Sequence, residues 1–309
     1  MSQIASSILM VRPAGFGYNA ETAASNAFQR NDKNISSSDI SKKAIEEFDD
    51  AIKLLKEKNI DITVIQDTKE PSRPDAVFPN NWFCTLPDGT LAVFPMFAAN
   101  RRIEKRDDML HTICNDFAVK DVEDWSEYEA DNFFLEGTGS MIFDHENKMV
   151  YACISERTHR HLFEKFAVKH GYKPVAFVAK DANGVPVYHT NVMMHIGDTY
   201  AVVCLDSIAN KTERIFISET LEQTEHEVIP VSQEQVKHFA GNMIQVKNIK
   251  GEKFTVLSRS AFNCLTVGQK NILSVHTNLL PVNIDTIETI GGGSARCMIA
   301  EIFPERKSV

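Results

Sequence analysis

The chain has 309 residues, of which 43% are hydrophobic and 24% are charged, and its formal net charge is −9. Such a length allows one large core or two smaller domains. The acidic balance provides no basic field to hold phosphates, so we expect no nucleic-acid partner. Residues 1–19 lack the apolar core of a signal peptide, and apolar runs nowhere approach the roughly 20 residues of a membrane span, so no membrane partner is expected.

The cysteines are widely scattered, and none belongs to a CxxC pair. The six are Cys84, Cys114, Cys153, Cys204, Cys264 and Cys297. This spacing indicates neither a zinc site nor a disulfide framework. We therefore predict a reducing cytoplasmic location and no metal or other cofactor.

In chain order, residues 6–11 are an apolar strand, residues 39–58 an amphipathic helix, and residues 60–65 an alternating strand. The apolar positions of the helix are at helical spacing: Ile45, Phe48, Ile52 and Leu55. Residues 36–39 supply helix-capping side chains, and Asn59 is a plausible end.

A pattern of small or amide residue, strand, turn and strand then recurs about every 50 to 60 residues, the spacing of blade-like repeats. We call the residues that begin each repeat its opening. The openings are Asn80-Asn81, Gly137–Ser140, His189–Asn191, Gly241-Asn242 and the glycine run at 291–293. Amphipathic stretches at 102–117, 157–170 and 233–239 fill gaps between them, so each unit is predicted to be a hairpin with a helix and a connecting strand.

The last hairpin lacks a partner strand, which the strand at 6–11 could supply. The pattern therefore predicts a closed, five-bladed, pseudo-symmetric α/β propeller, as one domain over residues 1–309, with the N-terminal strand closing the ring. The alternative is an open mixed sheet.

The final opening is Gly291-Gly292-Gly293-Ser294-Ala295-Arg296-Cys297. Glycines leave room for a ligand to approach the backbone, and a thiol follows them directly. The segment could equally be a tight turn before an ordinary buried thiol, because free cysteine usually serves as a small core residue.

In a closed ring the repeat openings converge on the central axis, so their polar residues are expected to be neighbours. These residues are Asn80, Asn81, Glu136, His189, Asn191, Asn242 and Cys297. A cysteine, a histidine and a carboxylate at one focus suit nucleophilic catalysis. Each also has a structural interpretation, and a second His-Thr-Asn begins at His276, but only His189 is in register with the repeats.

At these residues the sequence resembles the guanidino-group-modifying superfamily of arginine deiminases, dimethylarginine dimethylaminohydrolases and amidinotransferases. The resemblance covers essentially the whole chain. Within the superfamily, the sequence most resembles the bacterial amidinotransferase-like branch that includes citrulline-hydrolysing enzymes. It is carried by Pro74–Phe78 with Asn80-Asn81, Leu135–Gly139, Ser155–Thr158, His189–Asn191 and Gly291–Cys297. It implies the five-bladed propeller called the pentein fold.

The resemblance also implies roles for individual residues. Cys297 would be the nucleophile, His189 the general acid and base, and Glu136 its acidic partner. Arg157 matches an arginine that binds the substrate α-carboxylate in relatives, and Arg101 or Arg102 is a second candidate, because a guanidinium fork binds a carboxylate bidentately.

The departures from the family pattern concern the substrate head group. Arginine-using relatives carry acids where this chain has Asn81 (or Asn80) and Asn191. A buried guanidinium without carboxylates is costly, whereas an amide matches the donors and acceptor of a neutral ureido group. Asp75 and Glu136 remain, so a cationic substrate stays open.

The sequence therefore predicts a cysteine hydrolase of a ureido amino acid, most simply citrulline, giving ornithine, ammonia and carbon dioxide. Alternatives are an arginine or methylarginine deiminase, an amidinotransferase, and a non-catalytic propeller that binds partners. The expected substrate-binding residues are Asp75, Asn80, Asn81, Arg101, Arg157, Asn191, Asn242 and Gly292. The expected partner is a small-molecule amino-acid substrate, and a homo-oligomer is possible.

Overall fold

The computed structural model describes residues 2–32 and 34–307 of the chain. The strands within these residues are β1 (Ser7–Arg12), β2 (Asp61–Gln66), β3 (Phe83–Thr85), β4 (Thr90–Val93), β5 (Asp121–Asp124), β6 (Ile142–Asp144), β7 (Met149–Cys153), β8 (Lys173–Phe177), β9 (Met194–Ile196), β10 (Tyr200–Val203), β11 (Glu227–Pro230), β12 (Ile244–Lys247), β13 (Lys253–Ser258), β14 (Asn278–Val282) and β15 (Ala300–Ile302).

The helices lie between and beside these strands. They are α1 (Ala20–Ala23), α2 (Ser37–Glu57), α3 (Asp107–Asp116), α4 (Gly137–Ser140), α5 (Arg160–Lys169), α6 (Lys211–Gln223), α7 (Gln233–Val236), α8 (Arg259–Cys264) and α9 (Val267–His276). Across residues 2–32 and 34–307, no helix has the length and apolar character needed to cross a membrane.

The described strands form five three-stranded sheets of one design. In each sheet the first strand is antiparallel to the second, and the second is parallel to the third. The sheets are β3-β4-β5, β6-β7-β8, β9-β10-β11, β12-β13-β14 and β15-β1-β2. The first strands of several sheets contact each other, β3 with β15, β6 with β9 and β9 with β12.

One sheet joins the two ends of the chain. Ser7 of β1 is opposite Ile302 of β15 in the antiparallel pair and opposite Asp61 of β2 in the parallel pair. The first and last strands of the chain are therefore neighbours in one sheet.

Burial follows the order of strands within a sheet. The first two strands of the sheets that start with β3, β6 and β9 are buried at every position, whereas the third strands β5 and β11 are largely exposed. The inner strands are thus shielded from solvent, whereas β5 and β11 form solvent-exposed outer edges of their sheets. Helix α2 packs Phe48 and Leu55 against Ile8 and Val282.

Three predicted helices are shorter than their amphipathic patterns, each for a local reason. The pattern at 102–117 becomes α3 only at Asp107, where two aspartates in the first turn favour a helix start. The pattern at 157–170 becomes α5 at Arg160, because the preceding residues form a turn in which Thr158 N–H bonds to Ser155 O. Helix α7 ends early, and Phe239 beyond it has a φ of 59°.

The apolar stripe of α2 is also rotated relative to the prediction. Ile45 and Ile52 are half-buried, while the fully buried positions are Ile40, Ala44, Phe48, Ala51 and Leu55. The small alanines let the helix approach the sheet closely, which the aliphatic residues alone did not indicate.

Candidate active site

The polar residues of the repeat openings stand on the short turns that lead into the first strand of each sheet. Asn80 and Asn81 lie in a 3₁₀ turn before β3, and Asn191 lies in the corresponding turn before β9. Glu136 precedes α4, and Cys297 precedes β15. These turns bring the side chains to one cavity or directly behind its wall. The cavity is lined by Thr22, Asn26, Asp75, Phe78, Asn81, Arg101, Arg157, Tyr188, His189, Gly291, Gly292, Gly293 and Cys297.

The Cys297 thiol is buried and receives two amide donors. Asn242 Nδ2 lies 3.2 Å from Cys297 Sγ, and Asn191 Nδ2 lies 3.4 Å from it. Asn242 is held in turn, because its Oδ1 accepts the Arg296 N–H at 3.0 Å and its Nδ2 also donates to the Asn191 carbonyl. The two amides are thus aimed at sulfur and can stabilise negative charge that develops there.

His189 and Glu136 form a buried pair, with 2.8 Å between His189 Nε2 and Glu136 Oε2. Burial alone would raise the pKa of Glu136, but Arg157 and His189 outweigh it and lower that pKa to about 2. Burial lowers the pKa of His189 to about 4, although the Glu136 carboxylate opposes this change. At neutral pH the pair is therefore a carboxylate beside a neutral imidazole.

This charge state fixes the tautomer of the imidazole. A carboxylate only accepts hydrogen bonds, so His189 Nε2 carries the proton and Nδ1 keeps a lone pair. The other oxygen of Glu136 accepts the Phe97 N–H at 3.0 Å, which locks the carboxylate in place. His189 can therefore act as a base through Nδ1.

Arg157 is buried beside this pair, with Nη1 3.6 Å from Glu136 Oε2 and its guanidinium over the Tyr188 ring. Its Nε and Nη2 donate to Ser25 Oγ, and Nη2 also donates to the Thr22 carbonyl. Within residues 2–32 and 34–307, Nη1 makes no hydrogen bond. Arg157 thus retains donors for an anionic group in the cavity.

Arg101 is also buried but is largely occupied. Its Nε and Nη2 donate to the two oxygens of Glu104 at 2.9 and 2.8 Å, and its Nη1 donates to Asn81 Oδ1 at 2.8 Å. Arg102 donates to Met96 O, forms an ion pair with Glu129 and does not line the cavity. Of the two arginines that the sequence left open, only Arg101 reaches the candidate site.

Two buried acceptor atoms of the site have no hydrogen-bond partner among the described residues: Asn191 Oδ1 and Asp75 Oδ1. The other oxygen of Asp75 accepts from Asn19 Nδ2 at 2.7 Å and from Thr22 Oγ1 at 3.3 Å. Since buried polar atoms are normally paired, both free acceptors mark positions where a ligand donor fits.

The glycines of the site allow neighbouring groups to lie close to the backbone. Gly292 has a φ of 65°, and its carbonyl accepts from Tyr188 Oη and Asn26 Nδ2. A Cβ on Gly139 would lie 2.6 Å from Asn81 Nδ2 and 2.8 Å from His189 Nδ1, so only glycine lets these two side chains share that space. Gly139 was not among the predicted site residues, although it belongs to the motif Leu135–Gly139.

Some predicted residues lie behind the cavity rather than on its wall. Asn80 donates to Thr138 Oγ1 and accepts from Asn81 Nδ2, and it does not line the cavity. Asn191 and Asn242 reach the site through Cys297 Sγ. His276 pairs with Glu227 and Thr199 at the surface, away from the site.

Residues 19–29 cover the cavity and were not among the residues predicted to form the site. Asn19, Thr22 and Asn26 bond to Asp75 and to the glycine loop, and Phe28 packs against Tyr188. This segment belongs to no repeat, so its position over the site had no signal in the sequence. Among the described residues no cluster of three or more metal-ligating side chains occurs.

A model of the family described as N,N dimethylarginine dimethylhydrolase, eukaryotic, matches residues 12–304. The chain belongs to this family. Membership confirms the expected guanidino-modifying superfamily, which includes hydrolases of carbon–nitrogen bonds. No curated protein matches the chain.

Solved structures of the same superfamily share the fold. ArgZ, an arginine dihydrolase from the ornithine-ammonia cycle in cyanobacteria, superposes with a TM-score of 0.75 at 16% identity, over 97% of this chain and 41% of that one. The N-terminal domain of ArgZ bound to substrate superposes with a TM-score of 0.74 at 16% identity, over 96% of this chain and 98% of that one. DDAH from Pseudomonas aeruginosa complexed with citrulline superposes with a TM-score of 0.66 at 14% identity, over 97% of this chain and 100% of that one.

The chain thus spans less than half of full-length ArgZ and nearly all of its N-terminal domain. Identities of 14–16% support the shared pentein fold and say nothing further about substrate.

Proposed function

We propose that the chain is a cysteine hydrolase that cleaves a carbon–nitrogen bond of a ureido amino acid, with citrulline converted to ornithine, ammonia and carbon dioxide. The observation that carries this proposal is the amide character of the groups around the thiol. Asn191 and Asn242 contact Cys297 Sγ, and Asn81 lines the same cavity. The carboxylate of Glu136 is already engaged by His189 and Phe97.

A neutral head group suits these partners. A ureido group offers N–H donors to the free Asn191 Oδ1 and an oxygen that can accept from an amide N–H. A guanidinium has no acceptor, and its charge would be buried without a free carboxylate next to the reacting carbon.

The amino-acid end of the substrate fits the other side of the cavity. Arg157 retains the Nη1 donors for an α-carboxylate, and Asp75 has one free oxygen for an α-ammonium. The charges of the two ends of an amino acid are thus both matched, which supports a free amino acid over a neutral urea as substrate.

In the proposed mechanism Cys297 Sγ attacks the ureido carbon, and the thiol proton passes to His189 Nδ1. The carbon–nitrogen bond breaks, and the leaving nitrogen takes that proton. His189 then removes a proton from water, which attacks the thio-carbamoyl carbon and breaks the sulfur–carbon bond. The released carbamate decomposes, so citrulline and water give ornithine, ammonia and carbon dioxide.

A guanidino substrate is the second candidate, favoured by the family name and by the arginine-acting structural relatives. Asn191 Oδ1 can accept from a guanidinium as well as from a ureido nitrogen. In this case the same cysteine chemistry releases ammonia from arginine, or the methylated amine from a methylated arginine.

We also infer that the five sheets form a closed propeller and that residues 1–309 are one catalytic domain. The pairing of β1 with β15 and the contacts between first strands support this arrangement. The scattered, unpaired cysteines support the proposed cytoplasmic location. A homo-oligomer remains part of the proposal.

The test incubates the purified chain with citrulline and, separately, with arginine, and measures ammonia and ornithine. We expect turnover of citrulline, lowered at least about a thousandfold in Cys297→Ala because the nucleophile is lost. Cys114→Ala, outside the cavity, is the matched control and should keep full activity. Ammonia from arginine alone would overturn the ureido assignment, and full activity of Cys297→Ala would overturn the mechanism.

A further inference from the structure

The side chain of Asn81 is held by two neighbours that leave its amide only one orientation. Arg101 Nη1 lies 2.8 Å from Asn81 Oδ1, and an arginine can only donate, so the atom that faces it is the oxygen. On the other side Asn81 Nδ2 donates to Asn80 Oδ1 at 3.0 Å. A free asparagine could turn either end toward a ligand, but this one cannot.

The chain of bonds continues on both sides. Asn80 Nδ2 donates to Thr138 Oγ1, whose own hydroxyl donates to the Asn80 carbonyl, so the Asn80 amide is directed as well. Glu104 holds Arg101 bidentately at 2.9 and 2.8 Å. These residues are at most 5% exposed, so water does not compete for the bonds.

The orientation decides what Asn81 offers to a substrate. Its oxygen is consumed by Arg101, while Nδ2 has a second N–H beyond the one given to Asn80. Nδ2 lies next to Gly139, where His189 Nδ1 also lies, and Asn81 lines the cavity. The remaining N–H is therefore a donor beside the catalytic imidazole.

We infer that Arg101 and Glu104 form a positioning pair that fixes the Asn81 amide with an N–H toward the cavity and thereby selects a head group with an acceptor oxygen. The inference rests on the proposed function and deepens it. An N–H donor bonds to a ureido oxygen but faces only N–H groups in a guanidinium, so it discriminates between the two at one atom.

The bond count of Arg101 separates this role from that of a substrate clamp. Four of its five N–H groups are taken by Glu104, Asn81 and the Phe78 carbonyl, which leaves one. One N–H cannot form the bidentate fork that a carboxylate favours. The α-carboxylate is then bound by Arg157, whose Nη1 makes no hydrogen bond to the described residues and only a 3.6 Å ion-pair contact with Glu136.

The experiment measures dissociation constants of citrulline and arginine by calorimetry in the full chain carrying Cys297→Ala, which removes turnover. Into this parent we add Arg101→Met with Glu104→Gln, since a lone buried Glu104 carboxylate would be costly. With the amide free to turn, the preference for citrulline over arginine should fall about tenfold. Arg101→Lys keeps a donor at this position and should keep most of the preference.

Two further measurements distinguish positioning from a clamp or a merely structural role. The same pairs are measured with n-butylurea and n-butylguanidine, which have the head groups without the amino-acid end. A positioning role changes the ratio for these compounds too, whereas a clamp weakens both amino acids equally and leaves both analogues unaffected. In an Asn81→Leu background the Arg101 and Glu104 changes should no longer alter the ratio.

An unchanged ratio in folded Arg101→Met/Glu104→Gln protein, verified by circular dichroism, overturns the inference, as does an equal change in the Asn81→Leu background. Failure of the proposed function is observed separately, because the unsubstituted chain would then not turn over citrulline. If the double variant does not fold, Arg101→Gln with Glu104→Gln replaces it; a glutamine amide can turn and no longer enforces the orientation.

Discussion

Gly139 stands where the side chains of Asn81 and His189 meet. A Cβ there would lie 2.6 Å from Asn81 Nδ2 and 2.8 Å from His189 Cε1, closer than such contacts occur. We expect Gly139→Ala to lower kcat/KM about a hundredfold, because a displacement of the imidazole by about 1 Å misaligns the proton transfer. Steady-state kinetics on the preferred substrate checks this.

The matched control is Gly268→Ala, since a Cβ on that helical glycine finds its nearest atom, Thr266 Oγ1, at 3.9 Å. Alanine favours the helix, so this variant should keep its activity and gain up to about 1 kcal/mol in stability. Equal kinetics for the Gly139 and Gly268 variants would show that the imidazole tolerates the extra methyl group.

At the level of single residues, the repeat register was enough to place Cys297, His189 and Glu136 together. It worked because equivalent positions of equivalent repeats occupy equivalent places in the fold. The amide orientation of Asn81 could not be predicted, since it depends on Arg101, which approaches from a different turn. Tyr188 likewise reaches the glycine loop across 104 residues of sequence.

Helix α2 contacts the turn that precedes the glycine loop through the side chain of Glu47. Its carboxylate accepts the Thr286 N–H at 2.8 and 3.0 Å and the Ile287 N–H at 3.1 Å, at the start of the turn Ile287–Gly291. A negative charge at unpaired N–H groups of a turn start is favourable. Removing it leaves two donors without their partner.

We therefore expect Glu47→Ala to lower the free energy of unfolding by about 1–2 kcal/mol, measured by urea denaturation. Glu46→Ala is the control on the same helix, because Glu46 is exposed and 3.9 Å from Lys42, a contact of little consequence. The control should change stability by less than about 0.5 kcal/mol. Similar losses for both variants would mean that Glu47 contributes only as a helix residue.

At the level of elements, the strands predicted at 6–11 and 60–65 lie within one residue of β1 and β2, whereas three amphipathic stretches were longer than the helices they contain. Strands were marked by apolar runs with turns on either side, and those signals are local. Helix starts were not, because residues 99–104 form a 3₁₀ turn in which Arg101 and Glu104 are already buried. The amphipathic pattern there arises from the site and not from helical packing.

At the level of the molecule, the five similar sheets were predictable because each repeat carries the same strand order. The partnership of β1 with β15 followed from counting, since the last repeat lacked a strand. The cover formed by residues 19–29 was not predictable, because α1 has only four residues and no apolar periodicity. Its bonds to Asp75 and Arg157 exist only once the sheets are assembled.

Buried histidines make the stability of the whole molecule depend on pH. Burial lowers the pKa of His145 and of His195 to about 3 and that of His189 to about 4. In the unfolded chain these groups have a pKa near 6.5, so between that pH and their folded values the unfolded chain binds the additional protons. Their contribution is therefore fully present above about pH 6.5 and is lost as the pH falls toward 4.

His195 allows one such contribution to be isolated, because it lies outside the candidate site and bonds to Tyr200 Oη at 3.1 Å, which a glutamine can also do. Each titrating histidine contributes about 1.4 kcal/mol per pH unit, so between pH 7 and pH 5 the wild type should lose about 2 kcal/mol more than His195→Gln. Glu288, whose pKa burial raises to about 7, has the opposite dependence but is common to both proteins and cancels in the difference. Urea denaturation at half-unit pH steps measures the two slopes. Parallel stability curves for the two proteins would mean that His195 takes up its proton in the folded state without cost.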